Sequence, residues 1–197
     1  MIRTLIGCIS FVACGCAVAQ VTGNPAGLSP DTPGTESAKP APDAANNQDK
    51  LFVRQASLGN RAEVDLAKLA ATKGTSPGVK SFAKRMQNDH GESLDRLSKA
   101  HKGVKMDMPR DLDPEHQRVR SELDKLSGAP FDRAYLTAQV QDHQRTANLL
   151  LWHLSYGQNA ELVRYSADTL PVVLDHLEQA KRELAALNSP PAHTHSR

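Results

Sequence analysis

The chain has 197 residues with 24 basic and 22 acidic side chains, which give a formal net charge of +2. Near-neutral charge argues against a nucleic-acid partner, because binding to phosphates requires a clustered basic surface. The cysteines are confined to Cys8, Cys14 and Cys16, so a chain that has lost its N-terminal segment would have no disulfide and no thiol chemistry.

The N-terminus has the composition of a secretory signal peptide. Arg3 precedes an apolar run at residues 5–12, and Ala-Val-Ala at residues 17–19 matches a signal-peptidase site. The apolar run is shorter than the roughly 20 residues that a membrane-spanning helix needs. We therefore predict a signal peptide at residues 1–19.

A lipoprotein is the alternative interpretation of the same segment. Phe-Val-Ala-Cys at residues 11–14 resembles a lipobox in which Cys14 is lipidated, although Phe11 is an unusual choice at its position. Contact with a membrane would then occur only through the lipid on Cys14. Both interpretations predict export to the periplasm or the outer membrane of a Gram-negative bacterium.

Composition divides the rest of the chain into three parts. Residues 20–48 are rich in Pro, Gly, Ala and small polar residues and are predicted to be a disordered tether, because few apolar side chains offset the entropy of ordering. Residues 49–187 are long enough for one domain with a hydrophobic core. Residues 188–197, which include His193 and His195, are predicted to be a disordered tail.

Helical periodicity organises the central domain. The first predicted helix covers residues 49–72 and ends before Gly74. Ser76-Pro77 then has the sequence of an N-cap followed by proline in the first helical turn, and the second predicted helix continues to just before Gly103. The apolar faces of these two helices contain Phe52, Ala56, Ala62, Leu66, Leu69, Val79, Phe82, Met86, Leu94 and Leu97.

A long connection at residues 103–130 contains a short predicted helix at residues 113–126. The third long helix is predicted at residues 131–156 and the fourth at residues 159–187. Pro171 lies inside the fourth helix and is expected to kink it, because proline cannot bond to the carbonyl one turn earlier.

The lengths of the loops predict the topology. The first and second helices are joined by a short turn, as are the third and fourth, so each pair should form an antiparallel hairpin. The long middle connection can cross the bundle and leave the second and third helices parallel. We therefore predict an all-α, ferritin-like four-helix bundle with a short crossover helix, in preference to a simple up-down-up-down bundle.

One potential metal ligand lies near the middle of each long helix: Glu63, His90, His143 and His176. Because each lies at a distance from its turn that matches its hairpin partner, all four should fall at one level of the bundle. Three imidazoles and one carboxylate would suit a zinc, copper or iron ion. The alternative is a metal-free polar network in which Glu63 satisfies a buried histidine.

Several segments together resemble one bacterial envelope family, the domain of unknown function DUF4142, which is grouped with ferritin-like bundles. The segments are Ala62-Glu63-Val64, residues 79–86 leading to Asp89-His90, Phe-Asp-Arg-Ala-Tyr at residues 131–135, His143, and Thr-Leu-Pro at residues 169–171 before His176. The resemblance covers nearly all of residues 49–187 and implies an exported ferritin-like bundle without an established activity. The motif side chains singled out are Phe82, Met86, Asp89, Asp132, Tyr135 and Pro171.

The chain departs from the di-iron pattern of ferritin-like enzymes, which is Glu-x-x-His on two helices. Gln87 and Val173 stand where those glutamates would precede His90 and His176. We therefore expect no ferroxidase or oxygenase chemistry and predict a non-enzymatic envelope protein that binds an unidentified partner protein. The alternative function is metal binding by the Glu/His cluster, with one divalent or transition-metal ion as cofactor.

Three other polar side chains receive minor roles. Asp132 is predicted to interact favourably with the dipole of its own helix, since it lies near the helix N-terminus. The hydroxyl of Tyr135 is expected to reach Asp132 or a neighbouring helix. His116 borders the long connection and is expected to be solvated.

Overall fold

The computed structural model describes residues 45–188, and all regular secondary structure in this range is helical. In chain order the elements are α1 (Asn47–Lys73), α2 (Pro77–Ala100), a 3-10 turn (His101–Gly103), α3 (Pro114–Asp124), α4 (Gly128–Tyr156) and α5 (Ala160–Asn188). The predicted all-α fold class is confirmed. The predicted signal peptide at residues 1–19, the lipidation site at Cys14, most of the tether and the tail from residue 189 lie outside the described residues.

α1 begins inside the segment that was predicted to be a tether. The side chain of Asn46 accepts a hydrogen bond from the backbone N–H of Asp49 at 2.8 Å, and the Asp49 carboxylate accepts one from the backbone N–H of Asn46 at 2.8 Å. Gln48, in the first turn, is buried. The tether prediction is therefore wrong at residues 46–48, because the small polar residues that suggest disorder are also good helix caps.

α4 also begins earlier than the predicted residue 131. Gly128 has a φ of 62°, in the left-handed region that glycine tolerates best, and starts the helix. Pro130 then lies in the first turn, where its missing N–H costs no helical hydrogen bond. The proline therefore belongs to the helix and not to the connection.

α5 is continuous through Pro171. Pro171 and Ala167 are both exposed, so the carbonyl that Pro171 leaves without a helical partner lies on the side of the helix that faces water. This position explains why the helix is not interrupted. The kink itself stays a prediction.

Contacts at the two ends of the bundle define the helix directions. The Asp49 carboxylate, at the start of α1, accepts hydrogen bonds from the backbone N–H groups of Gln158 and Asn159 between α4 and α5. At the other end, Asp132 near the start of α4 accepts them from Thr75 and Ser76 between α1 and α2. α1 and α4 are thus antiparallel, α2 and α4 start at the same end, and the connection containing α3 runs along the bundle.

Asp132 binds the turn before α2 and not the start of its own helix. Its carboxylate accepts hydrogen bonds from the N–H of Thr75 at 3.0 Å, the hydroxyl of Thr75 at 2.7 Å and the N–H of Ser76 at 2.8 Å. The side chain of Ser76 makes no capping bond, and Asp132 instead holds the two residues that lead into α2. This differs from the predicted interaction, because α4 starts a full turn before Asp132.

Two apolar clusters fill the bundle at different heights. One contains Phe52 in α1, Leu97 at the end of α2, Leu150 in α4 and Leu162 in α5. The other contains mainly the opposite halves of the same helices, with members Leu66, Ala70, Val79, Phe82, Met86, Phe131, Tyr135, Leu136 and Ala180. The segments between the two clusters carry buried polar side chains, so a polar layer crosses the middle of the bundle.

Tyr135 belongs to the second cluster. Its ring centroid is 6.3 Å from that of Phe82 and 6.1 Å from that of Phe131. The hydroxyl is buried and has no hydrogen-bond partner among the described residues, so the expected bond to Asp132 is not made. Its ring packing accounts for the position of this residue.

Candidate metal centre

Three histidines converge in the polar layer, one from each of α2, α4 and α5. His90, His143 and His176 are 6%, 1% and 1% exposed, and each pair of ring centroids is 5.4 Å apart. One ring nitrogen from each lies within 4.8 Å of the other two. The structure therefore brings together three of the four residues predicted as ligands.

The hydrogen-bond partner of each ring identifies the nitrogen that carries the proton. His90 Nδ1 lies 2.9 Å from Asn60 Oδ1. The Asn60 amide nitrogen donates to the carbonyl of Ala56 at 2.7 Å, which orients Oδ1 toward the histidine. His90 therefore donates from Nδ1, and Nε2 keeps its lone pair.

His143 has the same tautomer for a different reason. Its Nδ1 donates to the backbone carbonyl of Gln139 at 2.9 Å, so its Nε2 also keeps a lone pair. The Nε2 atoms of His90 and His143 are 3.4 Å apart. Two lone pairs at this distance need a proton or a metal ion between them.

His176 has the opposite tautomer, with its free lone pair on Nδ1. Nε2 donates to the carboxylate of Asp89 at 2.8 Å, which leaves the lone pair on Nδ1. That Nδ1 is buried and has no hydrogen-bond partner among the described residues. Asp89, a motif residue without a predicted role, thus orients the third imidazole.

Each of the three rings donates its remaining N–H to an oxygen atom, as metal-ligating histidines almost always do. The separation of 3.4 Å between the two Nε2 atoms matches the roughly 3.3 Å expected for two nitrogens on a tetrahedral zinc ion. The outer limit of 4.8 Å is longer, so a pair of nitrogens at that limit must approach by about 1.5 Å to bind one ion.

The histidines are neutral at physiological pH. Burial lowers the pKa of His90 well below its usual range, and the charges of His143 and His176 lower it further. Burial lowers the pKa of His143 to about 4. Burial also lowers the pKa of His176, against the opposing hydrogen bond to Asp89. Neutral imidazoles keep the lone pairs that a metal needs.

Glu63 lies beside the histidine group and not within it. Its Oε2 accepts a hydrogen bond from the side chain of Gln139 at 2.7 Å, and its Oε1 lies 4.0 Å from His143 Nδ1, the nitrogen that already faces a carbonyl. Glu63 lies at the predicted height along α1. Because it is at the edge of the apolar stripe, its carboxylate points toward α4 and not toward the histidines. The structure does not place it with the three converging nitrogens.

Glu63 is held in its neutral form. Burial raises its pKa well above the usual range, and the charge of Asp142 raises it further. Oε1 finds no donor among the described residues, whereas a protonated Glu63 can donate a hydrogen bond to Asp142. Burial alone would raise the pKa of Asp142 as well, but the neighbouring His116, Glu63 and His143 lower it, so Asp142 is the ionised partner.

Sequence reasoning missed Asp142 and misplaced His116. Arg145 donates to Asp142 at 3.0 Å, and His116 Nε2 lies 3.8 Å from Asp142. His116 is also bonded through Nδ1 to Asp113 at 2.7 Å, and only 15% of its side chain is exposed. Its expected solvation is therefore wrong, since α3 packs along α4 and brings His116 over Asp142.

A fourth buried histidine, His153, forms a separate polar cluster at one end of the bundle. His153 Nε2 lies 3.0 Å from Asp49, and its Nδ1 lies 2.8 Å from the hydroxyl of Ser166. All three side chains are fully buried. Gly157 allows this arrangement, because a Cβ there would lie 2.6 Å from His153 Nε2. The order Asp-His-Ser is that of a hydrolase triad, but burial makes it a structural link between α1, α4 and α5.

Comparison with known proteins defines the family. Residues 34–182 match the family described as "Domain of unknown function (DUF4142)". The chain belongs to the DUF4142 family. The predicted resemblance is thereby confirmed, and the family description names no activity.

The described part of this DUF4142 protein is similar in fold to a solved structure titled "Crystal structure of DUF305 fragment from Deinococcus radiodurans". The TM-score is 0.64 at 18% identity, over 72% of this chain and 98% of the other. Comparison with curated proteins gives no match. Within residues 45–188, no helix combines the length and apolar character needed to cross a membrane.

Proposed function

We propose that this DUF4142 protein binds one transition-metal ion through His90 Nε2, His143 Nε2 and His176 Nδ1. The supporting observation is the convergence of three ring nitrogens that keep a lone pair, while the N–H group on the opposite nitrogen of each ring is hydrogen-bonded. Imidazole ligands suit zinc, copper, nickel and iron. Asp89 strengthens the His176 ligand through its hydrogen bond, as carboxylates do around metal sites.

A metal-free polar network is supported less well by the same geometry. The bonds from His176 to Asp89 and from Gln139 to Glu63 hold without an ion. The contact between His90 and His143 does not, because it needs a proton on one of two Nε2 atoms. The lowered pKa values of both residues oppose that proton at neutral pH.

The proposed role is metal binding in the cell envelope and not redox catalysis. The converging ligands are histidines without the bridging carboxylates of di-iron enzymes. We propose export on the basis of the signal-like residues 1–19. We also propose a ferritin-like topology, which the parallel start of α2 and α4 and the long connection between them support.

Metal analysis of protein purified without a polyhistidine tag tests the proposal. We expect the wild type to bind one equivalent of Zn²⁺, Cu²⁺ or Ni²⁺, each titrated alone. Replacing His143 by Ala should abolish binding, whereas His101→Ala, which changes a histidine outside the cluster, should not. A variant without His193 and His195 excludes binding by the tail. Undiminished binding by His143→Ala would refute the site.

A further inference from the structure

The three imidazoles are buried, and two neighbouring cavities share part of their lining, of which only the inner one is lined by His90. The outer cavity, of about 170 Å³, is lined by Asp113, Glu115, Asp142 and Arg145 among others. The inner cavity, of about 20 Å³, is lined by His90 and Asn60 among others. Both are bordered by the same four residues, Gln55, Gly59, Thr146 and Leu149, which therefore form the neck between them.

Gly59 keeps this neck wide. It lies in the interior of α1, and a Cβ added there would meet no atom within 4 Å. Glycine destabilises the interior of a helix relative to alanine. Because a Cβ would fit at residue 59 without a clash, close packing does not explain the glycine. A larger side chain at residue 59 would enter the space that both cavities share.

The charge at the outer opening favours a cation. Asp113, Glu115 and Asp142 contribute three carboxylates, against the single permanent positive charge of Arg145, which pairs with the last two. His116 also lines this cavity and lies against Asp113 and Asp142, so it offsets part of the remaining negative charge. On the α2 and α5 side of the cluster, the guanidinium of Arg85 forms ion pairs with Asp89 and Asp175. The positive charge of Arg85 therefore opposes the approach of a cation to His176 from that side.

We propose that a metal cation enters the histidine cluster through the acidic outer cavity and past Gly59, with His90 as the first imidazole it meets. This inference rests on the proposed metal site and specifies how the site is loaded. The neck acts only on passage, so narrowing it should change the rates of uptake and release without changing the affinity.

The test compares Gly59→Leu with Gly91→Leu. Gly91 is a matched control because it lies inside α2, also has free space around its added Cβ, and borders a different cavity. Uptake is followed by stopped-flow with whichever of Zn²⁺, Cu²⁺ and Ni²⁺ the wild type binds, and release is followed with an excess of chelator. Thr146→Leu narrows the same neck from α4 and serves if Gly59→Leu does not fold.

We expect Gly59→Leu to slow uptake and release about tenfold or more, with an unchanged dissociation constant, because a plug raises only the barrier. Gly91→Leu should load at the wild-type rate. Wild-type rates in the Gly59 and Thr146 variants would overturn the route while leaving the metal site intact. A changed dissociation constant at unchanged uptake rate would also overturn it. Failure of the wild type to bind any of the three ions would overturn both proposals.

Discussion

Replacing His143 by Gln in the metal-free protein should flatten the dependence of stability on pH. Burial lowers the pKa of His143 from 6.5 to about 4 in the folded state. An unfolded chain therefore binds a proton at His143 that the folded chain does not, and acid favours unfolding. The full shift corresponds to about 3 kcal/mol, which is present above pH 6.5 and is lost as the pH falls toward 4.

Urea denaturation in the presence of a chelator measures this effect. Between about pH 6.5 and pH 5, the wild type should lose about 2 kcal/mol more than His143→Gln, because each pH unit below the unfolded pKa costs about 1.4 kcal/mol. His101→Gln is the control, and it should retain the wild-type slope. The variant will also lose packing, so the comparison concerns the slopes and not the absolute free energies.

Equal slopes for the wild type and His143→Gln would refute the reasoning. They would show that His143 takes up its proton in the folded state as readily as in the unfolded chain. The two Nε2 atoms of His90 and His143 would then be joined by a proton, and the metal-free network would become the better explanation of the cluster.

Three further predictions concern other buried polar groups. Glu63→Gln should raise the free energy of unfolding at neutral pH and leave it unchanged near pH 4, because glutamine mimics neutral Glu63 and needs no proton on folding. A lower free energy of unfolding at neutral pH, measured in urea, would mean that Glu63 is ionised in the folded protein. Asp49→Asn should lower the free energy of unfolding by about 3 kcal/mol or more, because His153 loses its buried carboxylate partner, whereas the exposed control Asp111→Asn should lower it little. Equal midpoints of urea denaturation for the two variants would contradict the role of the Asp49–His153 pair. Asn46→Ala should cost about 1 kcal/mol through loss of the α1 cap, and an unchanged melting temperature would return residues 46–48 to the tether.

Helix type and the height of residues along each helix were open to prediction. Apolar residues at helical spacing identified four long helices, and turn residues such as Gly74 and Gly157 identified where hairpins form. Counting from those turns placed His90, His143 and His176 at one level, since a helix rises by a constant amount per residue. The helix ends were less predictable, because Asn46 and Pro130 suit both a loop and a helix start.

Direction around each helix was harder to predict than height. Glu63 has the same height as the histidines, but its carboxylate faces Gln139 and Asp142 across the contact between α1 and α4. Asp142 directly precedes His143 in the sequence. Consecutive residues of a helix point about 100° apart, so helical spacing did not predict that both side chains belong to one polar cluster. His116 lies near Asp142 only because α3 folds back along α4.

The sequence by itself determined that this chain forms long amphipathic helices with three histidines at one level, because hydrophobic periodicity and helical rise are local properties. Only the tertiary structure decided which nitrogen of each histidine is free, since that depends on Asn60, the Gln139 carbonyl and Asp89. It also decided that Asp49 and His153, more than a hundred residues apart, form one buried pair. Such contacts depend on the rotation and packing of whole helices, which no local pattern encodes.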